Sequence, residues 1–96
     1  MPTFEASKRF RANFDRLTPS QRQAFRAAAR KLVHDLRVGT FRKGLRIKRV
    51  EGEPGVWEMT WADDGRATFE YGETILPGHP HIYWRRVGSH DIFEDP

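Results

Sequence analysis

With 96 residues and no cysteine, the chain has the length of one domain, expected to span 1–96, and can hold no disulfide, no thiolate nucleophile and no cysteine-ligated zinc. Aromatic residues at 12% argue against disorder, and 17 Lys and Arg against 13 Asp and Glu leave a formal charge of +4 that favours a polyanionic or an acidic partner. Met1 to Ala6 contains no basic stretch followed by an apolar run, and no apolar run approaches the ~20 residues that cross a bilayer, so a location in the cytoplasm without membrane contact is expected.

Pro2 to Ala6 reads as a short edge strand, a place where proline is tolerated near a strand start. Phe10, Phe14 and Leu17 then recur at spacings of four and three, which is one face of a helix. Thr18-Pro19-Ser20-Gln21 is a second helix start: Thr18 caps, Pro19 suits the first helical position, and Gln21 closes a capping box. The helix that follows carries Phe25, Ala28, Ala29, Leu32, Val33 and Leu36 on one stripe and Arg22, Gln23, Arg26, Arg30 and Asp35 on the other, and Gly39 ends it. His34, on the polar side, reads as structural. Two helices joined at Thr18 make an αα-hairpin.

Beyond Gly44 the period becomes two. Leu45–Val50 is predicted as a strand with a bulge near Arg49, because Leu45 and Ile47 are out of phase with Val50. A turn at Glu51–Gly55 leads to Val56–Trp61, the Asp63-Asp64-Gly65 hairpin signal leads to Arg66–Tyr71, and a Gly- and Pro-rich loop at 72–80 leads to a last strand, His81–Arg86, with a tail from Gly88. The expected architecture is α+β: the N-terminal two-helix hairpin packed on a twisted antiparallel sheet.

Alternation sorts the side chains by face. Trp57, Met59, Trp61, Phe69, Tyr71, Ile82 and Trp84 are predicted to face the helices. Arg46, Lys48, Glu58, Thr60, Arg66, Thr68, Glu70, His81, Tyr83 and Arg85 are predicted on the other face, with Arg86 opposite to Arg85. That polar set suits RNA cleavage by the internal 2′-hydroxyl. The reaction needs a base for the hydroxyl, an acid for the 5′-oxygen and cations around the pentavalent phosphorus, and it needs no metal and no cofactor. The same set is also what the wet face of any half-buried antiparallel sheet looks like. His90 is of the residue type best suited to proton transfer near neutral pH, or has a structural role in the tail. Glu58 is a base or the cross-strand partner of Lys48. His79 and His81 flank Pro80 but lack a third ligand at suitable spacing, so no metal is expected.

The segments Lys43–Lys48, Trp57-Glu58 through Gly65–Tyr71, and Arg86-Val87-Gly88-Ser89-His90-Asp91-Ile92-Phe93 resemble, in order and layout, the RelE/ParE toxins, and the last is most similar to the C-terminal Gly-Thr/Ser-His motif of the YafQ-like RelE branch. The resemblance implies a toxin of a type II toxin–antitoxin system, a ribosome-dependent mRNA endoribonuclease acting on mRNA in the ribosomal A site and held by a cognate acidic antitoxin. The ParE branch implies instead a non-nuclease toxin that binds a protein such as DNA gyrase, and the residues alone also fit a basic RNA-binding module. Carried over by position, Arg66 matches the arginine that meets the scissile phosphate, His90 the proposed acid or base, and Phe93 the aromatic that stacks near the base. Arg46 and Lys48 match the basic strand loosely, and the family aspartate falls on Asp63 or Asp64. Catalysis is thus expected from His90, Arg66 and Glu58, and RNA binding from Arg46, Lys48, Tyr83, Arg85 and Phe93. The central histidines of the YafQ-like set have no counterpart near Trp57–Trp61.

Overall fold

The computed structural model describes residues 3–73, 75 and 77–96. In chain order it has strand β1 (Thr3–Ala6), helix α1 (Lys8–Arg16), helix α2 (Pro19–Val38), strands β2 (Lys48–Arg49), β3 (Trp57–Thr60), β4 (Gly65–Tyr71) and β5 (His81–Ser89), with 3-10 turns at Lys43–Leu45 and His90–Glu94. The five strands form one sheet in the order β1-β5-β4-β3-β2.

The helices begin where side chains satisfy their first amides. Ser7 accepts from the Phe10 amide, and Thr18 and Gln21 close a reciprocal capping box at 3.1 and 2.8 Å with Pro19 in the first turn. Gly39, at φ 84°, ends α2 in the left-handed conformation that a glycine adopts without strain. Asp35, predicted on the polar side of α2, is buried instead. Its carboxylate accepts from the Arg42 amide at 3.0 Å and from the Arg42 guanidinium at 2.9 and 2.8 Å, which ties the end of α2 to the segment leading into the sheet. These hydrogen bonds hold the Asp35 carboxyl at about 2, below its ordinary 3.8.

The sheet is mixed rather than wholly antiparallel, because β1 pairs in parallel with β5, Thr3 opposite His81 through Ala6 opposite Trp84. Alternation reports which way side chains point but not which strand lies alongside, and the chain between β1 and β5, through both helices and β2 to β4, is long enough for the crossover that a parallel partner requires. The predicted Leu45–Val50 strand shrinks to β2. Leu45 closes a 3-10 turn and is buried, and Arg46 follows in the left-handed region at φ 48°, so pairing begins only at Lys48. The irregularity expected at Arg49 lies elsewhere. Thr68 pairs with Arg86 and Phe69 with Trp84, so Arg85 is the extra residue of a bulge.

That bulge lets β5 present Trp84 and Val87, three apart, to one core with Phe10, Phe25, Leu32, Met59, Phe69 and Ile82. Phe25 and Trp84 meet at 5.1 Å between ring centroids, edge to face. Trp57 and Trp61 pack half-buried against this cluster, whereas Tyr71, predicted to join it, is 42% exposed at the end of β4. Two residues of the predicted wet face are buried: His81, whose Nε2 lies 2.9 Å from Glu5 Oε1 on β1, and Thr68. The C-terminal turn folds back over β4 and β5 with Ile92 buried, and a Cβ on Gly88 would come within 3.0 Å of Ile92.

Candidate functional site

The face of the sheet away from the helices is ordered by its register. Lys48 pairs with Glu58, Glu58 with Thr68, and Thr68 with Arg86, giving one row across four strands. Thr60, Arg66 and Gly88 form the row beside it, and Glu70 pairs with Tyr83 on the far side. With strands roughly 4.8 Å apart, Glu58 and Arg86 stand about 10 Å apart across the buried Thr68.

Each charged group on this face is held. Lys48 Nζ lies 3.7 Å from Glu58 Oε1. Arg66 Nη1 donates to the carbonyls of Ala62, Asp63 and Gly65 at 3.2, 3.2 and 2.9 Å, bracing the hairpin it follows. Arg85, at the bulge, donates to Glu70 at 2.9 Å and to the Pro96 carbonyl oxygen at 3.3 and 3.1 Å. Arg86 donates from Nε to Asn13 on α1 at 2.7 Å and from Nη1 to the Asp95 carbonyl at 2.7 Å. Burial, and then the neighbouring Arg9 and Arg16, lower the Arg86 guanidinium pKa from a value so high that the group stays a cation. Arg9 in turn pairs with the Asp95 carboxylate at 2.8 Å and holds that carboxyl below its usual range. Two consecutive arginines thus grip the last residues of the chain.

His90 follows β5 directly, opposite the start of β4, since Ser89 pairs with Gly65. Its exposed ring meets half-buried Phe93 edge to face at 5.0 Å. Of the residues singled out in the sequence, Lys48, Glu58, Arg66 and Tyr83 share the face, His90 and Phe93 stand at its C-terminal margin, and Arg85 sits at the bulge. Arg46 does not join them. Its left-handed backbone leaves it outside β2, on the wall of a separate cavity with Lys31, Arg42 and Arg66. Arg86 is the residue that alternation missed. An uninterrupted strand sends it to the core side, and only the bulge returns it to the row of Glu58 and Thr68. The signal available was the spacing of Trp84 and Val87: two core residues an odd number apart cannot share a face of a regular strand.

The arrangement offers cations, a carboxylate and an imidazole on rigid elements. Among the described residues no three His, Asp or Glu side chains group as metal ligands. On the other side of the sheet, Phe4, Phe10, Phe14, Ala29, Val33 and Trp84 line an apolar groove of about 470 Å3, with Arg26 and Arg30 also on its wall.

A two-helix hairpin and a five-stranded mixed sheet in this order define the fold of the RelE-like toxins. The chain is similar to YafQ of E. coli as seen in its complex with DinJ (TM-score 0.67, 11% identity, 95% of this chain and 96% of that one), and to a RelE of Methanococcus jannaschii in its RelB–RelE antitoxin–toxin complex (0.62, 16%, 94% and 94%). It is also similar to a metal-bound toxin from Helicobacter pylori (0.62, 17%, 95% and 97%). No protein-family model and no curated protein matches the sequence, so the likeness is one of fold.

Proposed function

We propose that the protein is the toxin of a toxin–antitoxin pair and an endoribonuclease that cuts mRNA on the ribosome. The observation that carries this reading is the row Lys48–Glu58–Thr68–Arg86 with His90 at its margin. In the proposed reaction a 2′-oxygen attacks the adjacent phosphorus, the bond to the 5′-oxygen breaks, and a 2′,3′-cyclic phosphate and a 5′-hydroxyl result. A base takes the 2′-hydroxyl proton and an acid returns one to the leaving oxygen. His90 moves one of these protons and Glu58 is the candidate for the other. Arg86 and Arg66 stabilise charge that grows on the phosphorane oxygens. Lys48, Arg85 and Tyr83 hold the strand, and Phe93 stacks on a base. The work requires no metal and no cofactor.

The complexes in which YafQ and RelE are seen support an antitoxin as partner. The apolar groove beside β1, walled in part by Arg26 and Arg30, suits an acidic amphipathic segment of it. No helix among the described residues is long and apolar enough to cross a membrane, and action on ribosomes assigns the protein to the cytoplasm.

The experiment is primer-extension mapping of mRNA on translating ribosomes with the purified protein. Cuts that vanish in His90→Ala while ribosome binding persists support the reading, and intact mRNA with the soluble protein sinks it. A second reading, a ParE-like toxin that blocks a protein such as DNA gyrase without cutting RNA, is favoured by one observation: Arg66, Arg85 and Arg86 all donate to the protein's own carbonyls. Growth arrest with uncut mRNA is its signature.

A further inference from the structure

The second cavity meets the sheet face only at its margin, at Thr60 and Arg66. It lies between α2, the Lys43–Leu45 turn and the β3–β4 hairpin, encloses about 650 Å3, and is walled by Lys31, Arg42, Arg46 and Arg66 against the single carboxylate of Asp63. We propose that this cavity is a second phosphate-binding site, one that takes a backbone phosphate of the same RNA at a distance from the reacting bond.

Three observations converge there. Lys31 and Arg46 are exposed and engage no carboxylate among the described residues, whereas the cations of the sheet face are all held, and Arg42, although on this wall, is neutralised by buried Asp35. Arg46 is the one described non-glycine residue with positive φ, a strained conformation that persists where the surroundings enforce it. Trp61, whose ring borders the same wall, keeps its indole Nε1 buried and without a hydrogen-bond partner among the described residues, so its signal reports on the wall. Cations that no carboxylate compensates, gathered on one concave wall, call for a ligand carrying negative charge. The wall is shaped for access as well. Ala24 and Ala27 keep the α2 side low, and Gly65 lets the indole lie on the hairpin, where a Cβ would come within 2.6 Å of the ring. Arg66 borders both regions, so a strand crossing the sheet face reaches the cavity by passing over the β3–β4 turn.

The inference rests on the reading that the protein binds RNA, and its test separates the two. Amide and indole NMR signals are followed as a short uncleavable single-stranded RNA, and separately inorganic phosphate, is added. The RNA is expected to shift the Trp61 indole and the Lys31 and Arg46 amides saturably. A Lys31→Gln/Arg46→Gly double variant is expected to lose those shifts and to make the slope of log K against log salt shallower by about 1.4, two contacts at ~0.7 each. Glycine at 46 keeps the left-handed backbone, so the variant is expected to melt no lower than the parent. Shifts confined to Tyr83 and His90, with an unchanged salt slope in the double variant, overturn the cavity site while the sheet-face reading stands. Shifts at the cavity alone support the site and overturn the sheet-face reading. A response to inorganic phosphate with none to RNA overturns RNA as the occupant.

Discussion

On the helix-covered face of the sheet, Met59, Ala67, Phe69, Ile82, Trp84 and Val87 are buried in one cluster with the hairpin. On the opposite face Lys48, Arg66, Arg85 and Arg86 are each tied to a carboxylate, an amide oxygen or a backbone carbonyl. The first face works by area, which is additive and indifferent to direction. The second works by direction: a guanidinium displaced by an ångström loses its hydrogen bonds but little burial. Mutations on the two faces are therefore expected to fail differently, the first in folding and the second in function. A breach of that division in either direction would break the comparison.

The largest effect is expected at Trp84, which packs against Phe10, Phe25 and Phe69. Trp84→Ala deletes a core aromatic and costs about 3–5 kcal/mol, much of what holds a domain of this size together. Urea unfolding is expected to show loss of the cooperative transition or a midpoint shifted far down. A stable Trp84→Ala that has lost only RNA binding inverts the face assignment.

Next in size is His90→Ala. The ring is exposed and touches only Phe93 among described aromatic side chains, so the melting temperature should hold. Single-turnover cleavage should fall by roughly 10²–10⁴, the usual contribution of a positioned acid or base. Unchanged cleavage removes His90 from the mechanism.

A smaller effect, on stability alone, follows from Asp35. Its folded-state pKa lies at about 2 against an ordinary 3.8. A depressed carboxyl contributes stability that is present in full above the unfolded value and is lost as pH falls from about 4 through about 2. Urea midpoints measured down this range are expected to drop in the parent and to drop less in Arg42→Gln, which already lacks the pairing. Parallel acid profiles would mean that the Asp35–Arg42 contact does not govern acid stability.

The helical hairpin was legible because its signals are local: Thr18 caps, Gly39 stops, and the stripe of Phe25, Ala28 and Leu32 repeats at helical spacing. β3 and β4 were legible because alternation runs unbroken through Met59 and Ala67. What was not legible depends on long-range pairing. The parallel partnership of β1 with β5 and the burial of Thr68 have no local period. The bulge at Arg85 left its trace only in the odd spacing of two apolar residues. Of the candidate site, Lys48, Glu58 and Arg66 were placed on one face by pattern, whereas the tail expected from Gly88 is strand as far as Ser89 and then the His90–Glu94 turn. Arg86 and the displacement of Arg46 depend on the bulge and on a left-handed residue, which composition does not announce.

The smallest effect tests the polar face where it is loosest. Lys48 is exposed at the outermost strand and 3.7 Å from Glu58, a pair whose worth to stability is about 0–1 kcal/mol. Lys48→Gln should therefore leave the melting temperature nearly unchanged. If Lys48 meets a phosphate, the slope of log K against log salt for single-stranded RNA should become shallower by about 0.7, and affinity should fall alike for all sequences. The conservative Lys48→Arg should restore the salt slope. A salt slope unchanged in Lys48→Gln would show that RNA does not contact this end of the row, and would confine the working face to β4, β5 and the His90 turn.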